Sequence, residues 1–429
     1  MANPVQRPIG TRDFGPAETH VRHQVAETMR AVFRRFGYRD VQTPTFEDLA
    51  LFTAKSGAGV IDELYAFKDK GDRNLTLRPE LTAPAMRMYF AEHFNDPKPI
   101  KWSYFGNCFR YDRPQAGRYR EFWQMGCEQI GAGTPLAYAE LLALGDALVA
   151  SVGLRNRELY IGHVKILKAA VDTFGFDPET RGKLMRAIDK DDRAAIQQLA
   201  DKKGGCELAV DRLFLLMDAP SLGAARNAML DEMKPEFDEL EACLKALDAF
   251  GVKGVKLNLG IARGLDYYTG IVFEMHCPIL GAQKQLLGGG GYDLSAVFGG
   301  QPTPTMGFGL GFDRTIVALE EEAKRDGKPL AFGKDAGPVA YFAALSDAAR
   351  AKVLPIVAQL RSAGIEVELD LLDRKPGAIA KHADAVGAKF LVIVGDRDLE
   401  SGSVQIKDLA SGKQDAVRLS DIASRLRSV

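Results

Sequence analysis

Two short stretches of this sequence place arginines beside aromatic residues. They are residues 109–113 (FRYDR) and residues 263–268 (RGLDYY). A guanidinium group is planar and permanently charged, so at the edge of a strand it can grip a carboxylate or a phosphate. A third arginine, Arg314, follows a glycine-rich segment. The combination predicts a site that holds a nucleotide together with an acidic intermediate.

A hairpin is predicted to present further candidate residues. Residues 102–110 and 121–130 have the composition of two strands. On the second strand Gln124, Gly126 and Glu128 share a face. This face is either the floor of a polar ligand site or a solvated outer surface. The basic loop between the strands either grips phosphates and bases or is merely solvated.

Several single residues allow a functional and a structural interpretation. Arg110, which closes the first strand of the hairpin, is either a site residue or a surface residue. Glu80 either holds a ligand ammonium group or starts a helix. Tyr267 and Tyr268 point to opposite faces of the next strand. Either Tyr268 contacts a ligand, or one of the two is core and the other surface.

Glycines precede Arg314 at positions 307, 309 and 311, and four more fill positions 288–291. The first set either forms a surface on which a nucleotide binds or allows a helix and the sheet to pack closely. The second set is predicted to be a turn. Neither a GxxxxGK[ST] phosphate loop nor an N-terminal GxGxxG motif is present. ATP, if it binds, would therefore be held by arginines on an antiparallel sheet.

The bulk properties of the chain narrow its class. Its 429 residues allow two or three domains, and its composition is that of a soluble protein. Apolar runs of about 18 residues and a secretory leader are not found, so a protein that neither spans the membrane nor is secreted is expected. The five scattered cysteines form no CxxC pair, so no metal site is predicted and a reducing cytoplasm is expected. A net charge of −1 does not by itself indicate a nucleic-acid partner.

The periodicity of the chain predicts the elements that position these residues. Helices are expected near 15–37 and 82–93, and strands at 38–43, 75–80, 255–259 and 267–276. Residues 1–325 are predicted to form one domain, with a helical insertion at about 165–250. Residues 326–337 read as a linker rich in glycine and proline. Residues 338–429 alternate strand and helix, which predicts a separate α/β domain.

Taken together, these motifs resemble those of the histidyl-tRNA synthetases, a family of class II aminoacyl-tRNA synthetases, over essentially the whole chain. Residues 37–44, 109–128 and 307–314 resemble the three class II motifs. Residues 263–268 resemble the element that marks the histidine-specific family, and residues 77–82 (LRPELT) resemble another family signature. The resemblance implies an α+β fold in which an antiparallel-sheet catalytic domain with a helical insertion is followed by an α/β anticodon-binding domain.

The resemblance also implies which residues bind histidine. These are Glu80, Thr82, Arg110, Gln124, Glu128, Arg263, Tyr267 and Tyr268. Glu80 and Thr82 would meet the amino group, and Gln124 would help to place the substrate. Glu128 and Tyr268 would read the imidazole ring.

Other residues are implied to handle ATP and tRNA. Arg110 and Arg263 would be catalytic: Arg110 would grip the α-phosphate and Arg263 would be a fixed cation where carboxylate and α-phosphate meet. Arg314 would hold the γ-phosphate end of ATP. Arg113 and Gln115 would contact the acceptor end of tRNA-His. Mg²⁺ is expected with ATP, and the family implies a homodimer.

The implied activity is histidine–tRNA ligation: L-histidine is activated by ATP and transferred to the 3′ end of tRNA-His. Two departures from the family pattern are Gly291, where many members carry arginine, and Trp123, where others have histidine or tyrosine. The main alternative is a synthetase-like regulatory subunit of ATP phosphoribosyltransferase that does not aminoacylate. A class II synthetase for another amino acid is a second alternative.

Overall fold

A computed structural model describes residues 5–56, 58–112, 118–229, 233–262, 268–333 and 337–427. The chain divides into two compact units. The first contains Met1–Phe14 and Arg22–Ala331, and the second contains Gly15–Val21 and Phe332–Val429. The fold of each unit follows from its own hydrophobic pattern.

The described chain up to residue 325 contains strands and helices in mixed order. The strands are β1 (Arg39–Asp40), β2 (Phe46–Asp48), β3 (Ala66–Lys68), β4 (Asn74–Leu77), β5 (Ile100–Phe109), β6 (Glu121–Ile130), β7 (Glu158–His163), β8 (Lys256–Leu257), β9 (Tyr268–His276), β10 (Gln285–Tyr292) and β11 (Thr305–Gly311). The helices are α1 (Pro16–Arg35), α2 (Ala50–Ser56), α3 (Thr82–Met88), α4 (Pro135–Ser151), α5 (Val164–Asp172), α6 (Pro178–Asp189), α7 (Arg193–Lys203), α8 (Glu207–Met217), α9 (Leu222–Ala228), α10 (Lys234–Ala249), α11 (Ser295–Phe298) and α12 (Phe312–Arg325).

A large sheet dominates the first unit. Its described strands lie in the order β1-β5-β6-β11-β10-β9-β7-β8, and all inner neighbours are antiparallel. Only the outermost described pairs, β1 with β5 and β7 with β8, are parallel. A separate three-stranded sheet has the order β2-β4-β3. The large antiparallel sheet expected from the sequence is confirmed.

One face of the large sheet is covered by helices. The strand β11 turns the side chain of Phe308 towards the ring of Phe33 on α1, and Leu287 of β10 reaches the backbone of α4 at Gly145. Helix α4 begins at Pro135 because Thr134 caps it, accepting a hydrogen bond from the backbone N–H of Ala137. The opposite face of β6, β10 and β11 is left for a ligand.

The glycine run at 288–291 is not a turn, so that prediction is wrong. It lies inside β10, paired with β9 on one side and β11 on the other. A side chain at Gly289 would come within 2.1 Å of the carbonyl oxygen of Gly307. The glycines are therefore explained by close approach of neighbouring backbones rather than by chain reversal.

Other expected elements are present with different ends. The predicted strand 38–43 is reduced to β1, and the predicted helix 82–93 consists of α3 followed by a π-helical turn, Tyr89–His93. Residues 165–250 are predicted to be helical, and α5 to α10 occupy this stretch. Two of the insertion helices, α6 and α7, begin at the side-chain caps Asp177 and Asp192.

In the second unit the described residues form a five-stranded sheet that packs against helices. Its elements after residue 337 are β12 (Ala340–Ala344), α13 (Asp347–Ser362), β13 (Val367–Leu369), α14 (Pro376–Ala385), β14 (Phe390–Val394), α15 (Asp396–Ser401), β15 (Ser403–Asp408), β16 (Gln414–Arg418) and α16 (Ile422–Arg427). The strand order is β13-β12-β14-β15-β16, with the first three strands parallel. The alternating α/β pattern expected from the sequence is confirmed.

No helix in the described part of the chain combines the length and the apolar character that crossing a membrane requires.

Candidate active site

A cavity of about 770 Å³ lies on the open face of the large sheet. Its lining contains six of the residues predicted to bind substrates. They are Glu80, Thr82, Arg110, Gln124, Tyr268 and Arg314. They come from β6, β9, the start of α3, the end of β5 and the start of α12. The fold therefore brings together residues that are far apart in sequence.

Glu128 lies under this cavity, fully buried. Tyr104 donates a hydrogen bond of 2.7 Å to one carboxylate oxygen, and Tyr292 donates to the other. Burial raises the pKa of Glu128 to about 8, although the hydroxyl groups of Tyr292 and Tyr104 lower it. The solvated-surface interpretation of this strand face is thus wrong for Glu128.

Two glycines of β11 make room for the side chains of β6. A Cβ atom at Gly307 would lie 2.0 Å from Oε2 of Glu128, and one at Gly309 would lie 2.5 Å from Nε2 of Gln124. In the sheet, Gly307 is the direct partner of Glu128 and Gly309 that of Gly126. The absent side chains leave room for Gln124 in the cavity lining and for the buried Glu128 beneath it, rather than allowing a helix to pack there.

Glu80 lies at the start of a helix, which is one of the two roles that the sequence allowed. Its carboxylate accepts hydrogen bonds from the backbone N–H groups of Thr82 and Ala83 at the start of α3. Desolvation raises the pKa of Glu80, while these two bonds and the nearby charge of Arg110 lower it. Since each carboxylate oxygen can accept a second hydrogen bond, the same group can also face a ligand in the cavity.

Arg110 is anchored through its Nε atom and through its contact with an aromatic ring. Its Nε donates to the carbonyl oxygen of Pro79 at 2.9 Å, and its guanidinium lies over the ring of Phe122. Its terminal nitrogens make no hydrogen bond to any residue in the described part of the chain. This leaves a positioned fork that suits a carboxylate or a phosphate.

Arg314 marks another side of the cavity. Its two terminal nitrogens donate to the carbonyl oxygen of Gln285 at 3.0 Å and to the side-chain oxygen of Gln283 at 3.2 Å. Glu274, also in the cavity lining, accepts a hydrogen bond from the Gln285 amide. A cation beside neutral amides is an arrangement that can bind a polyphosphate.

Four of the predicted residues lie outside the described residues. They are Arg113 and Gln115 in the hairpin loop, and Arg263 and Tyr267 in the histidine-specific element. The roles expected for them stay predictions.

Comparison with known proteins identifies the family. The family model for histidyl-tRNA synthetase matches residues 10–315, and the model for the anticodon binding domain matches residues 340–429. A histidine–tRNA ligase of Methanosarcina acetivorans is 42% identical, over 98% of both chains.

The chain belongs to the histidyl-tRNA synthetase family.

Solved structures agree with this assignment. An apo histidyl-tRNA synthetase of S. aureus matches 98% of this chain and 99% of its own length, with a TM-score of 0.73 and 27% identity. A Bacillus halodurans protein described as an ATP phosphoribosyltransferase regulatory subunit/histidyl-tRNA synthetase matches 92% of this chain and 100% of its own, with a TM-score of 0.78 and 23% identity, which shows the shared fold alone. The family and fold expected from the sequence motifs are confirmed.

Two tyrosines of this histidyl-tRNA synthetase family site were missed in the sequence. Tyr104 and Tyr292 hold the carboxylate of Glu128. Tyr104 could have been found, because pairing the two predicted strands of the hairpin places it opposite Gly126, next to Glu128 on the same face. Tyr292 gave no such signal because the glycines before it were read as a turn.

The described residues contain no group of three or more histidine, cysteine, aspartate or glutamate side chains able to hold a metal ion.

Proposed function

We propose that the protein is a histidine–tRNA ligase. In the first step the carboxylate of L-histidine attacks the α-phosphorus of ATP, which gives histidyl-adenylate and releases pyrophosphate. In the second step the histidyl group moves to the 3′ end of tRNA-His. The observation that carries the proposal is the buried carboxylate of Glu128 below a cavity lined by Arg110 and Arg314, in a chain of this family.

The floor of the cavity suits an imidazole ring. Glu128 offers carboxylate oxygens in a buried setting, where an unpaired polar group is costly. Tyr268 lies in the lining on the neighbouring part of the sheet, and we assign it to the ring together with Tyr267. A ring without nitrogens in the right places would leave the remaining acceptor position of Glu128, beyond those filled by Tyr104 and Tyr292, without a donor, which gives selection against other amino acids.

The walls suit the rest of histidine and the nucleotide. We assign Glu80, Thr82 and Gln124 to the amino group and to substrate placement. Arg110, which lines the cavity, would hold the α-phosphate beside the histidine carboxylate. Bringing two anionic groups together requires positioning and neutralised charge more than a protein base.

Arg314 and Arg263 complete the charge balance in this proposal. Arg314 would hold the γ-phosphate end, and Arg263 would neutralise the charge that develops between carboxylate and α-phosphate. Mg²⁺ would arrive with ATP as part of the substrate. Glu274 is the carboxylate in the lining next to the residues that hold Arg314, so it would be the protein's contribution to that ion.

The second step needs tRNA, and its contacts are proposals as well. We assign Arg113 and Gln115 to the acceptor end of tRNA-His. We place the catalytic domain at residues 1–325, a linker at 326–337 and the anticodon-binding domain at 338–429. The match of residues 340–429 to an anticodon-binding family supports the last assignment. We also propose a homodimer in the cytoplasm.

The regulatory-subunit alternative is not favoured. The relative from Methanosarcina acetivorans is a ligase and matches nearly the full chain, including the C-terminal residues. An anticodon-binding domain has no evident use in a subunit that only regulates another enzyme. The motif at 263–268 likewise argues against a synthetase for a different amino acid.

Charging of a tRNA-His transcript with labelled histidine tests the complete proposal. The purified protein should attach histidine to this transcript in the presence of ATP and Mg²⁺, and should leave a tRNA-Phe transcript uncharged. A folded protein that makes no histidyl-tRNA, and yet restores activity to a catalytic ATP phosphoribosyltransferase, would show that the regulatory alternative is correct.

A further inference from the structure

Two tyrosine hydroxyl groups hold opposite ends of the Glu128 carboxylate. Tyr104 donates to Oε1 at 2.7 Å, and Tyr292 donates to Oε2. The hydroxyl of Thr82 lies 3.2 Å from that of Tyr104 and links this pair to the start of α3. The carboxylate is thus fixed before any substrate arrives.

Tyr292 reaches Glu128 across an intervening strand. The order of strands is β6, β11, β10, with Glu128 on the first and Tyr292 on the last. The contact is possible because the residue of β11 opposite Glu128 is Gly307. Tyr292 also pairs directly with Tyr268 of β9, so both rings stand on the cavity side of the sheet.

We propose that Tyr292 is a positioning residue for histidine recognition, which acts through Glu128. Its hydroxyl favours the charged form of the carboxylate and orients it, so that a remaining acceptor position on that carboxylate can receive a ring N–H of the substrate. The inference rests on the proposed function, because it takes histidine as the ligand of Glu128. Tyr292 itself is not assigned to the reacting atoms.

The groups around Glu128 determine whether loss of the Tyr292 hydroxyl raises or lowers the pKa of Glu128. The titratable groups that act on it are Glu80 beside α3, Tyr104 on β5, Tyr292 on β10, and Cys127 with Tyr38 behind its own strand. Burial and Glu80 raise the pKa of Glu128, and the tyrosine hydroxyls lower it. Removal of the Tyr292 hydroxyl would therefore raise this pKa further. The charged carboxylate, which accepts the ring N–H, would then form only at higher pH.

Histidine binding measured by calorimetry between about pH 6 and pH 9.5 tests the proposal on the full-length protein. Wild-type affinity should increase as pH rises through the pKa of Glu128. In Tyr292→Phe the same rise should occur about one pH unit higher, so that wild-type affinity exceeds that of the variant about tenfold near pH 7.5 and the two become nearly equal near pH 9.5. Comparison at equal pH cancels the titration of histidine itself. The kcat of ATP–pyrophosphate exchange at saturating histidine should stay within about twofold.

Two further variants make the result specific. Tyr138→Phe removes a buried hydroxyl from α4, which lies against Gly291 and so on the other face of β10; its profile should match that of the wild type. Tyr104→Phe removes the other hydroxyl donor to Glu128 and should shift the profile in the same direction as Tyr292→Phe. If Tyr292→Phe fails to fold, the pH profile of Tyr104→Phe tests the proposal instead.

Three outcomes are distinguishable. A shifted profile in the two site variants, with Tyr138→Phe unshifted, supports the role of Tyr292. An unshifted profile, or an equal loss of affinity at every pH, overturns it while leaving the proposed function intact. A folded wild-type protein that does not bind histidine overturns both.

Discussion

The site depends on residues without side chains as much as on residues that have them. Gly307 is the direct sheet partner of Glu128, and any Cβ there would meet both the carboxylate and the carbonyl oxygen of Cys127, at 2.0 and 2.3 Å. Backbone cannot move aside as a flexible side chain can. The position of Glu128 is therefore set by its neighbour's lack of a side chain.

Substitution of these glycines should give graded losses. Gly307→Ala should lower kcat/KM for histidine by at least roughly 100-fold, because it displaces Glu128. Gly309→Ala meets only the flexible end of Gln124 and should cost roughly tenfold. Gly182→Ala on α6 meets a single atom, at 3.7 Å, and is the control. Steady-state exchange kinetics measure all three; equal effects at Gly307 and Gly182 would contradict this account.

The thiols of the folded protein should be unreactive. All five cysteines are buried, and burial raises the pKa of Cys108 and of Cys243 to about 12. Reaction needs the thiolate, which is scarce far below the pKa. Titration with a thiol reagent near pH 8 should thus label almost nothing in the native protein and every cysteine after denaturation. Rapid labelling of the native protein would contradict the burial of these thiols.

Individual site residues were predictable to different degrees. Alternation along one strand was enough to place Gln124 and Glu128 on a common face. The contact between Glu128 and Tyr292 spans 164 residues of sequence, and no local pattern reports a pairing of that kind. Its prediction requires the strand order, which the sequence alone did not provide.

A buried aspartate joins several elements of the first unit. Asp313, near the start of α12, pairs with Arg12 and Arg22, both at 2.7 Å, and accepts the backbone N–H of Trp123 on β6 at 2.6 Å. Its side chain is only 5% exposed. Because its neighbour Arg314 belongs to the cavity, the same contacts also fix the start of the helix that carries the site.

Removal of this charge should destabilise the fold. Asp313→Asn leaves the buried Arg22 and the partly buried Arg12 without their counter-charge, which should lower the free energy of unfolding by roughly 3–5 kcal/mol. Asp172→Asn makes the same change in an exposed pair with Arg181 and should cost at most about 0.5 kcal/mol. Urea denaturation compares the two. Similar stability losses would show that the Asp313 network contributes little.

At the level of elements, long patterns were predicted well and short ones were not. The hairpin of β5 and β6 has ten residues in each strand, enough for alternation to be evident. The glycine run of β10 has no side chains to alternate, so composition favoured a turn although both neighbouring strands pair with it. Strand β1, with two residues, is defined by its partner β5 rather than by its own sequence.

The net charge of the whole molecule gives no indication of a nucleic-acid partner. The chain carries 56 basic and 57 acidic residues, so attraction to tRNA must come from local surfaces rather than from overall charge. The change of periodicity along the chain predicted the α/β character of the C-terminal residues. The surfaces that contact tRNA could not be predicted from the sequence, because charge patches form only in the folded chain.

Salt should therefore separate the two steps of the reaction. Raising salt from about 50 to 200 mM should increase the KM for tRNA by roughly tenfold or more, since phosphate contacts release counterions. The KM for histidine in pyrophosphate exchange should change by only about twofold, because its contacts are enclosed and less screened. Parallel charging and exchange assays measure both. An equal salt response in the two assays would contradict a reaction in which only the second step uses a phosphate backbone.

The most direct test of the central claim is ATP–pyrophosphate exchange with each of the twenty amino acids in turn, with and without Mg²⁺. The arrangement of Glu128, Tyr268 and Arg110 predicts exchange that depends on histidine and on Mg²⁺, with the other amino acids near background. Exchange with a different amino acid, or silence with all twenty from folded protein, would contradict the claim that this cavity activates histidine.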